Sequence, residues 1–428
     1  MAEVPRYIQE MSIFNKRINS VEWMQGDLVI WMVFFLLFAI SVVEVYSASS
    51  SMSYGVNTHY WEPLISHCFY WAVGIGAVFL IGHAPCNKLK YAAVFGFMFM
   101  LLLQFIALCS GRINGAGRWI HLWGFTFQPS EFIKPLLIAF AAFFFSQFRD
   151  EKGVSAAGFK IVATVVLITL LMIVTENLST AVLIGAVMYL MAFVARVHGK
   201  YLITILTVAA VVAAAGWTFA HSVPESTLQE WHESNNFVLH RVPTWVHRLT
   251  DKHEIPDDPK DYDLTDNVQK THAYIAVATS HGIGKGPGKS RQRDYLPQAY
   301  SDFIYAIIIE EWGIVGALAV MALYLILMWR CKVIASRCKS LFPSYLVMGL
   351  AMMMGFQALL NMAVAVGAFP VTGQTLPLVS KGGTSILANC LSIGMILSVS
   401  RTAKRIDAPD APSSSAPADD APAAVQPA

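Results

Sequence analysis

Ten apolar runs divide the chain: Leu28–Val43, Cys68–Ile81, Tyr91–Cys109, Phe132–Phe145, Ile161–Val174, Leu178–Ala195, Tyr201–Ala220, Phe303–Trp329, Tyr345–Val366 and Ile386–Val399. A helix of about 20 apolar residues crosses the hydrocarbon core of a bilayer, where each span must satisfy its own backbone hydrogen bonds. Several runs are shorter than that, so their helices are expected to extend into the polar flanks. Composition removes the soluble alternative, because 56% of the 428 residues are hydrophobic and only 14% are charged. A typical soluble domain carries roughly 25% charged residues and could not hide this much Phe, Met, Trp and Leu in a core; the surplus must face lipid. The expected fold is an all-α polytopic membrane protein with about ten transmembrane helices and a large extracytoplasmic loop between helices seven and eight.

Orientation follows from the positions of the cations, since a net charge of +2 excludes the basic excess of a nucleic-acid binder. With the N-terminus inside, seventeen Lys and Arg residues fall on the cytoplasmic side, among them Lys16, Arg17, Arg149, Arg196, Arg330, Lys332 and Arg401. The short outer loops hold only Arg112, Arg118 and Lys381. That bias predicts N-in, C-in. Ser47-Ala48-Ser49 resembles a signal-peptidase site, but losing the first span would upset the alternation of loop charge. Residues 1–26 are expected to be a cytoplasmic lead-in, 27–405 the transmembrane domain and 406–428, rich in Ala, Pro, Ser and Asp, a disordered cytoplasmic tail. Residues 221–302 form an outer loop far longer than most helix connections, where chemistry tends to be placed. A short helix is expected around Val268–Thr279, followed by turns at Gly282, Gly284, Gly286 and Gly288. The six cysteines show neither a disulfide framework nor metal-ligand spacing, and His240, His247 and His253 match no standard zinc pattern.

Charge within apolar spans marks the first candidates. Glu131 and Lys134, at i,i+3 on the fourth span, share a helix face and can pair. Glu310 and Glu311 lie about 11 Å into the eighth span at ~1.5 Å per residue. Such residues line functional cavities or lock helices together. In the outer loop, Gly282-Ile-Gly-Lys-Gly-Pro-Gly-Lys-Ser290 ends like a phosphate loop, but Ile283 occupies the required first glycine position. What remains is a glycine-rich turn with Lys285, Lys289, Ser290, Arg291 and Arg293; with Arg118 and Lys381 these could bind a phosphate-bearing ligand or anionic headgroups. The carboxylates Asp257, Asp258, Asp261, Asp263 and Asp266 offer either a catalytic base or a solvated acidic loop.

Four separated motifs, in order, resemble the SEDS family (shape, elongation, division and sporulation) of peptidoglycan glycosyltransferases, which includes FtsW, RodA and SpoVE. They are Gly115-Ala-Gly-Arg-Trp-Ile120 with Gln128-Pro-Ser-Glu-Phe-Ile-Lys134; Gly284-Lys-Gly-Pro-Gly-Lys-Ser290; Tyr295-Leu-Pro297 with Ser301-Asp-Phe-Ile-Tyr-Ala306 and Glu310-Glu-Trp-Gly313; and Asn361 with Thr372 through Ser385. Tyr300 to Glu311 and Glu176-Asn-Leu-Ser-Thr180 look closer to the division branch than to the elongation branch. The resemblance implies polymerisation of lipid II onto a growing glycan chain at the outer face of the bacterial cytoplasmic membrane, with release of undecaprenyl pyrophosphate at the division septum. It also implies a class B penicillin-binding transpeptidase and other division proteins as partners. The family's essential loop Asp matches Asp258 by its Asp-Pro pair, while counting back from Gln269 points to Asp261, Asp263 or Asp266. Lys381 stands where the family often has Tyr. The departing pyrophosphate would be stabilised by preorganised cations or by a divalent ion such as magnesium or manganese. Two rival readings are a flippase for lipid-linked precursor, drawing on Glu131, Lys134, Glu310 and Glu311, and a scaffold that only recruits division proteins.

Overall fold

Every apolar run becomes a helix; nine of them extend into their flanks, while the sixth ends one residue short of its run. The computed structural model describes residues 24–48, 61–109, 119–122, 125–175, 177–233, 242–243, 245–246, 268–280, 282–296 and 299–403. The spans are α1 (Leu28–Ala48), α2 (Glu62–His83), α3 (Cys86–Cys109), α4 (Pro129–Gln147), α5 (Ala156–Val174), α6 (Leu178–Val194) and α7 (Gly199–Ser222). After α7 come α8 (Glu225–Glu233) and α9 (Val268–Ala278), which lie between spans, and then α10 (Ile304–Arg337), α11 (Leu341–Ala365) and α12 (Gly383–Thr402). A two-stranded hairpin, β1 (Ile120–Leu122) with β2 (Phe125–Phe127), precedes α4, and a second, β3 (Arg149–Asp150) with β4 (Gly153–Val154), follows it. The expected tail, 406–428, lies outside the described residues.

Local chemistry explains the starts. Asp27 caps α1, its Oδ1 accepting from Val29 N–H at 3.0 Å and Ile30 N–H at 3.3 Å; Ser155 and Asn177 cap α5 and α6 through their side chains. Proline occupies the first turn of α2 and of α4, where the missing N–H would lack a helical partner in any case. Phe132–Phe145 thereby grows to nineteen residues and Ile386–Val399 to twenty. The shortest span, α6, has 17 residues, about 26 Å of helix.

Burial separates centre from rim. In the most apolar window of each helix, 72% of α4, 67% of α11 and 78% of α12 is buried, against 6% of α7. The central helices approach closely through small residues: a Cβ on Gly349 of α11 would lie 2.5 Å from Ile138 of α4 and 2.6 Å from Met191 of α6. Where α1 begins, Asp27 pairs with Arg330 of α10 at 2.7 Å and its N–H donates to Ser400 Oγ of α12 at 3.0 Å. Successive spans alternate in direction, so the end of α1, the starts of α2, α4, α6, α10 and α12, and the end of α11 meet at the opposite end of the bundle. The eighth apolar run departs from a single straight span. Gly313 has φ 65° and ψ −159°, which breaks α10 into two helical pieces, and the second piece continues past Trp329 to Arg337.

Candidate functional site

At that opposite end the glycine-rich run wraps Glu310 and Glu311, which are 0% and 1% exposed. Lys285 Nζ pairs with Glu310 Oε1 at 2.5 Å, Ser290 Oγ donates to Glu310 Oε2, and the Arg291 and Gln292 N–H groups donate to its two oxygens at 3.2 and 3.3 Å. Glu311 accepts from Gly288 N–H at 2.8 Å, Ser290 N–H at 3.3 Å and the Ser47 hydroxyl at the end of α1. Two carboxylates can sit at low dielectric because each receives three or more donors. The backbones interlock as well: Lys285 N–H donates to Glu310 O at 2.9 Å, Gly286 N–H to Glu311 O at 2.8 Å and Ile314 N–H to Gly282 O at 3.0 Å. The break at Gly313 frees these carbonyls from the helical ladder, and the positive φ of Gly282, Gly284, Gly286 and Gly288 lets the run turn tightly enough to reach them. Arg293 closes the frame against α1, donating to Ser47 O at 3.2 Å and Ser47 Oγ at 3.0 Å. Trp312 Nε1 donates to Glu44 Oε1 on the same helix at 2.6 Å.

A second polar chain crosses the central helices. Lys134 Nζ bonds Glu131 at 2.9 Å and Gln357 Oε1 of α11 at 3.0 Å, and Gln357 Nε2 donates to Thr375 O at 2.9 Å. The ion pair predicted from i,i+3 spacing therefore forms and also ties α4 to α11. One turn further along α11, Asn361 Nδ2 donates to Asp302 O and Gln374 O, both at 2.7 Å. These bonds fix the 366–382 connection, whose Lys381 N–H donates to Tyr300 O at 2.9 Å while its ammonium lies 5.1 Å from the Tyr300 ring centroid. Burial holds the Lys381 amine below its ordinary pKa, with Glu62 acting in the opposite sense. Burial, and then Asp302, push the Tyr300 phenol up.

The predicted residues thus divide. Lys285, Ser290 and Arg293 meet Glu310 and Glu311 in one frame, where Lys285 and Ser290 are engaged by Glu310. Lys289 and Arg291 project outward from the same run. Glu131 and Lys134 stand in the neighbouring chain. Lys381 belongs to the connection above it. Arg118 and the acidic candidates Asp258, Asp261, Asp263 and Asp266 lie outside the described residues. Among the described residues no group of three or more His, Cys, Asp and Glu side chains is placed to hold a metal ion. Four participants are additions from the structure: Glu44 and His67, just beyond the edges of their apolar runs, with His67 Nε2 2.9 Å from Ser41 Oγ of α1; Gln357; and His272, whose Nδ1 lies 2.7 Å from Gln292 Oε1. Glu44 is 1% exposed within a membrane helix, and an ionisable residue in such a setting is itself a signal that could have found it.

Comparison with known proteins places this architecture among others. The family model for the FtsW/RodA/SpoVE cell cycle proteins matches residues 27–405. A probable peptidoglycan glycosyltransferase FtsW from Geobacter sulfurreducens is 28% identical over 395 residues, covering 91% of this chain and 99% of the relative. A probable peptidoglycan glycosyltransferase FtsW from Aromatoleum aromaticum is 30% identical over 385 residues, covering 87% of each chain. Among solved structures, a chain from a study of the coordination of polymerization and crosslinking by a peptidoglycan synthase complex matches with TM-score 0.67 at 24% identity, covering 89% of this chain and 99% of that one. At that identity the likeness is one of fold.

Proposed function

The chain belongs to the FtsW/RodA/SpoVE family of cell cycle proteins, and on that premise we propose that it is a peptidoglycan glycosyltransferase polymerising lipid II into glycan strands during division. The observation that carries this reading is the gathering of buried carboxylates, cations and a glycine-rich run at one end of a membrane bundle, at the root of a long acidic loop. That is where a substrate with its polyprenyl tail in lipid can present a polar head. In the reaction, the acceptor hydroxyl oxygen bonds to the anomeric carbon of the growing chain. The bond from that carbon to the diphosphate oxygen breaks, and its electron pair leaves with undecaprenyl pyrophosphate. A loop carboxylate, with Asp258 the leading candidate beside Asp261, Asp263 and Asp266, takes the hydroxyl proton. The outward-facing Lys289 and Arg291 suit the developing negative charge, while Lys285 and Arg293 hold the run that presents them. A magnesium or manganese ion bound through the substrate diphosphate would add to that stabilisation.

The protein is a multi-pass membrane protein; we place it in the bacterial cytoplasmic membrane at the septum, N-in and C-in, with a class B penicillin-binding transpeptidase and other division proteins as partners. The flippase reading draws on the same membrane carboxylates, yet Glu131 lies in the first turn of α4 and Glu310 and Glu311 in the second turn of α10, both spans starting at one end of the bundle.

Glycan-strand synthesis from lipid II by the purified full-length protein with its transpeptidase partner tests the assignment. Replacing Asp258, Asp261, Asp263 and Asp266 by Ala in turn is expected to leave one variant at least about 100-fold slower, the scale of a lost general base. Normal polymerisation by all four would remove the loop carboxylate from the mechanism. Movement of labelled precursor across vesicles without strand synthesis would favour the flippase.

A further inference from the structure

We propose that the joined α4–α5 and α6–α7 connections, at the end of the bundle opposite the Glu310 frame, form a binding surface for the headgroup of an anionic phospholipid. Lys152, Lys160, Arg196 and Lys200 take the phosphate, and the lipid-facing sides of α5 and α7 take the acyl chains. The surface is separate from the proposed glycosyl transfer; only the leaflet it faces, the cytoplasmic one, rests on the N-in reading.

The charge here is not neutralised within the chain. All four cations are exposed, and among the described residues none of them is ion-paired with a carboxylate. Lys200 Nζ lies 5.0 Å from the Tyr201 ring centroid, a contact that brings no opposing formal charge. The carboxylates on these connections, Asp150 and Glu151, sit at the tip of the β3–β4 hairpin, exposed and likewise without an ion pair. Arg149 turns inward, where its Nη1 donates to the Tyr345 hydroxyl of α11.

Backbone contacts fix the surface in place. α6 ends in a Schellman turn, in which Arg196 N–H donates to Phe193 O and Val197 N–H to Ala192 O, both at 3.0 Å. The left-handed position of such a turn is usually Gly, yet here it is Arg196, with φ 59°. A side chain there costs backbone energy that glycine would not, and a strained residue held by its surroundings points to a use for that side chain. The surroundings do hold it. Arg196 O accepts from Val154 N–H at 3.4 Å, Val154 and Val197 form a parallel bridge, and a Cβ on Gly153 would lie 2.1 Å from Arg196 O. Beside this interlock Phe159 stacks on Tyr201, with centroids 4.8 Å apart, which brings together the first turns of α5 and α7 and with them Lys160 and Lys200.

A lipid fits this surface better than a soluble anion, because apolar exposure begins within a turn of the cations. Phe193, three residues before Arg196, is 62% exposed, and Ile203, three after Lys200, is 67% exposed. Above them only 6% of the most apolar window of α7 and 28% of that of α5 is buried. Lys and Arg can lay their aliphatic stems along such surface while their charged ends stay at headgroup level. A phosphate held between Lys160 and Lys200 would also tie the rim span α7 to α5.

Native mass spectrometry and thermal melting of the full-length protein in detergent, titrated with phosphatidylglycerol or phosphatidylcholine, test the surface. Phosphatidylglycerol should be retained preferentially and should raise the melting temperature more. Lys160→Met, Arg196→Gly and Lys200→Met should each weaken phosphatidylglycerol binding about fivefold, and the triple variant about 100-fold, the scale of single cations at an anionic surface. Without added lipid Arg196→Gly should melt no lower than the parent, because glycine relieves the left-handed backbone; an Arg196 that served only structure would lose stability as well. Lys332→Met removes an exposed cation of α10 at the same end of the bundle and should change binding by no more than about twofold, since a headgroup held at the surface does not touch it. Equal retention of the two lipids, or a loss in Lys332→Met as large as in the three single variants, would overturn the site in favour of bulk charge attraction. Displacement of phosphatidylglycerol by inorganic phosphate would overturn the lipid assignment in favour of a free-anion site. A membrane-impermeant maleimide should label Glu151→Cys, above the background of the parent, in inverted vesicles and not in spheroplasts. Labelling from the outside would overturn the leaflet, and the N-in reading with it, while the detergent titrations still decide whether the surface binds lipid.

Discussion

Glu310→Ala is expected to abolish glycan synthesis and to destabilise the protein more than any other single side-chain truncation at this end of the bundle. The change strands four donors at once: Lys285 Nζ, the Ser290 hydroxyl and the N–H groups of Arg291 and Gln292. Removing one partner of a buried ion pair costs about 3–5 kcal/mol, much of it from the charge left behind. Lys285, with its side chain 23% exposed, can recover some hydration by swinging outward, but that movement would pull the glycine-rich run off α10. The sign of the charge effect can be isolated. Glu310→Gln alone leaves an unpaired ammonium beside a neutral amide, whereas Glu310→Gln combined with Lys285→Met removes both charges. The double variant should therefore melt above the single one in detergent, although it carries more substitutions. A double variant less stable than Glu310→Gln would mean that the ion pair itself, and not relief of an uncompensated charge, sets the energetics here.

How much of this was legible beforehand depended on how local each signal was. The apolar helices follow from windows of adjacent apolar residues, so they could be read without knowing any long-range contact. The Glu131–Lys134 pair was equally accessible, because helical geometry alone brings i and i+3 together. The role of Lys285 and Ser290 was not. Their glycine-rich setting suggests anion binding, and only the fold reveals that the anion in contact with them is Glu310, more than twenty residues along from Lys285. Gly313 was hidden for a related reason. Glycine is common in membrane helices, and what converts this one into a break is the fit of Gly282 and Gly284 against it. Glu44 and His67 were lost to edges, each lying immediately outside an apolar run whose helix proved longer than the run itself. For the acidic loop, the carboxylate-rich composition identifies a candidate segment but gives no means of choosing among its members.

The interlock at Gly313 leads to the second large effect. Gly313→Ala and Gly284→Ala should each cost far more than Gly282→Ala or Gly288→Ala. All four glycines have positive φ, at 65°, 86°, 77° and 71° respectively, so each alanine carries a backbone penalty of about 1–3 kcal/mol. Space distinguishes them. A Cβ on Gly284 would lie 2.5 Å from both Glu311 O and Gly313 N, and one on Gly313 would lie 2.5 Å from Ile283 C; Gly282 and Gly288 have nothing within 4 Å. The obstructing atoms are backbone, which cannot rotate aside, so overpacking adds about another 1–3 kcal/mol at the two crowded positions alone. Relief requires the run to lift from α10, which would break the bonds from Lys285 and Gly286 N–H to Glu310 O and Glu311 O and turn Lys289 and Arg291 away from their present direction. Gly284→Ala and Gly313→Ala should therefore lose strand synthesis together with thermal stability, and combining them should add little, because either alone opens the same contact. Melting temperatures and strand synthesis for the four single variants and the Gly284/Gly313 double variant are the measurements. Equal losses at all four positions would show that backbone conformation dominates, and that the close fit between the run and the break contributes nothing of its own.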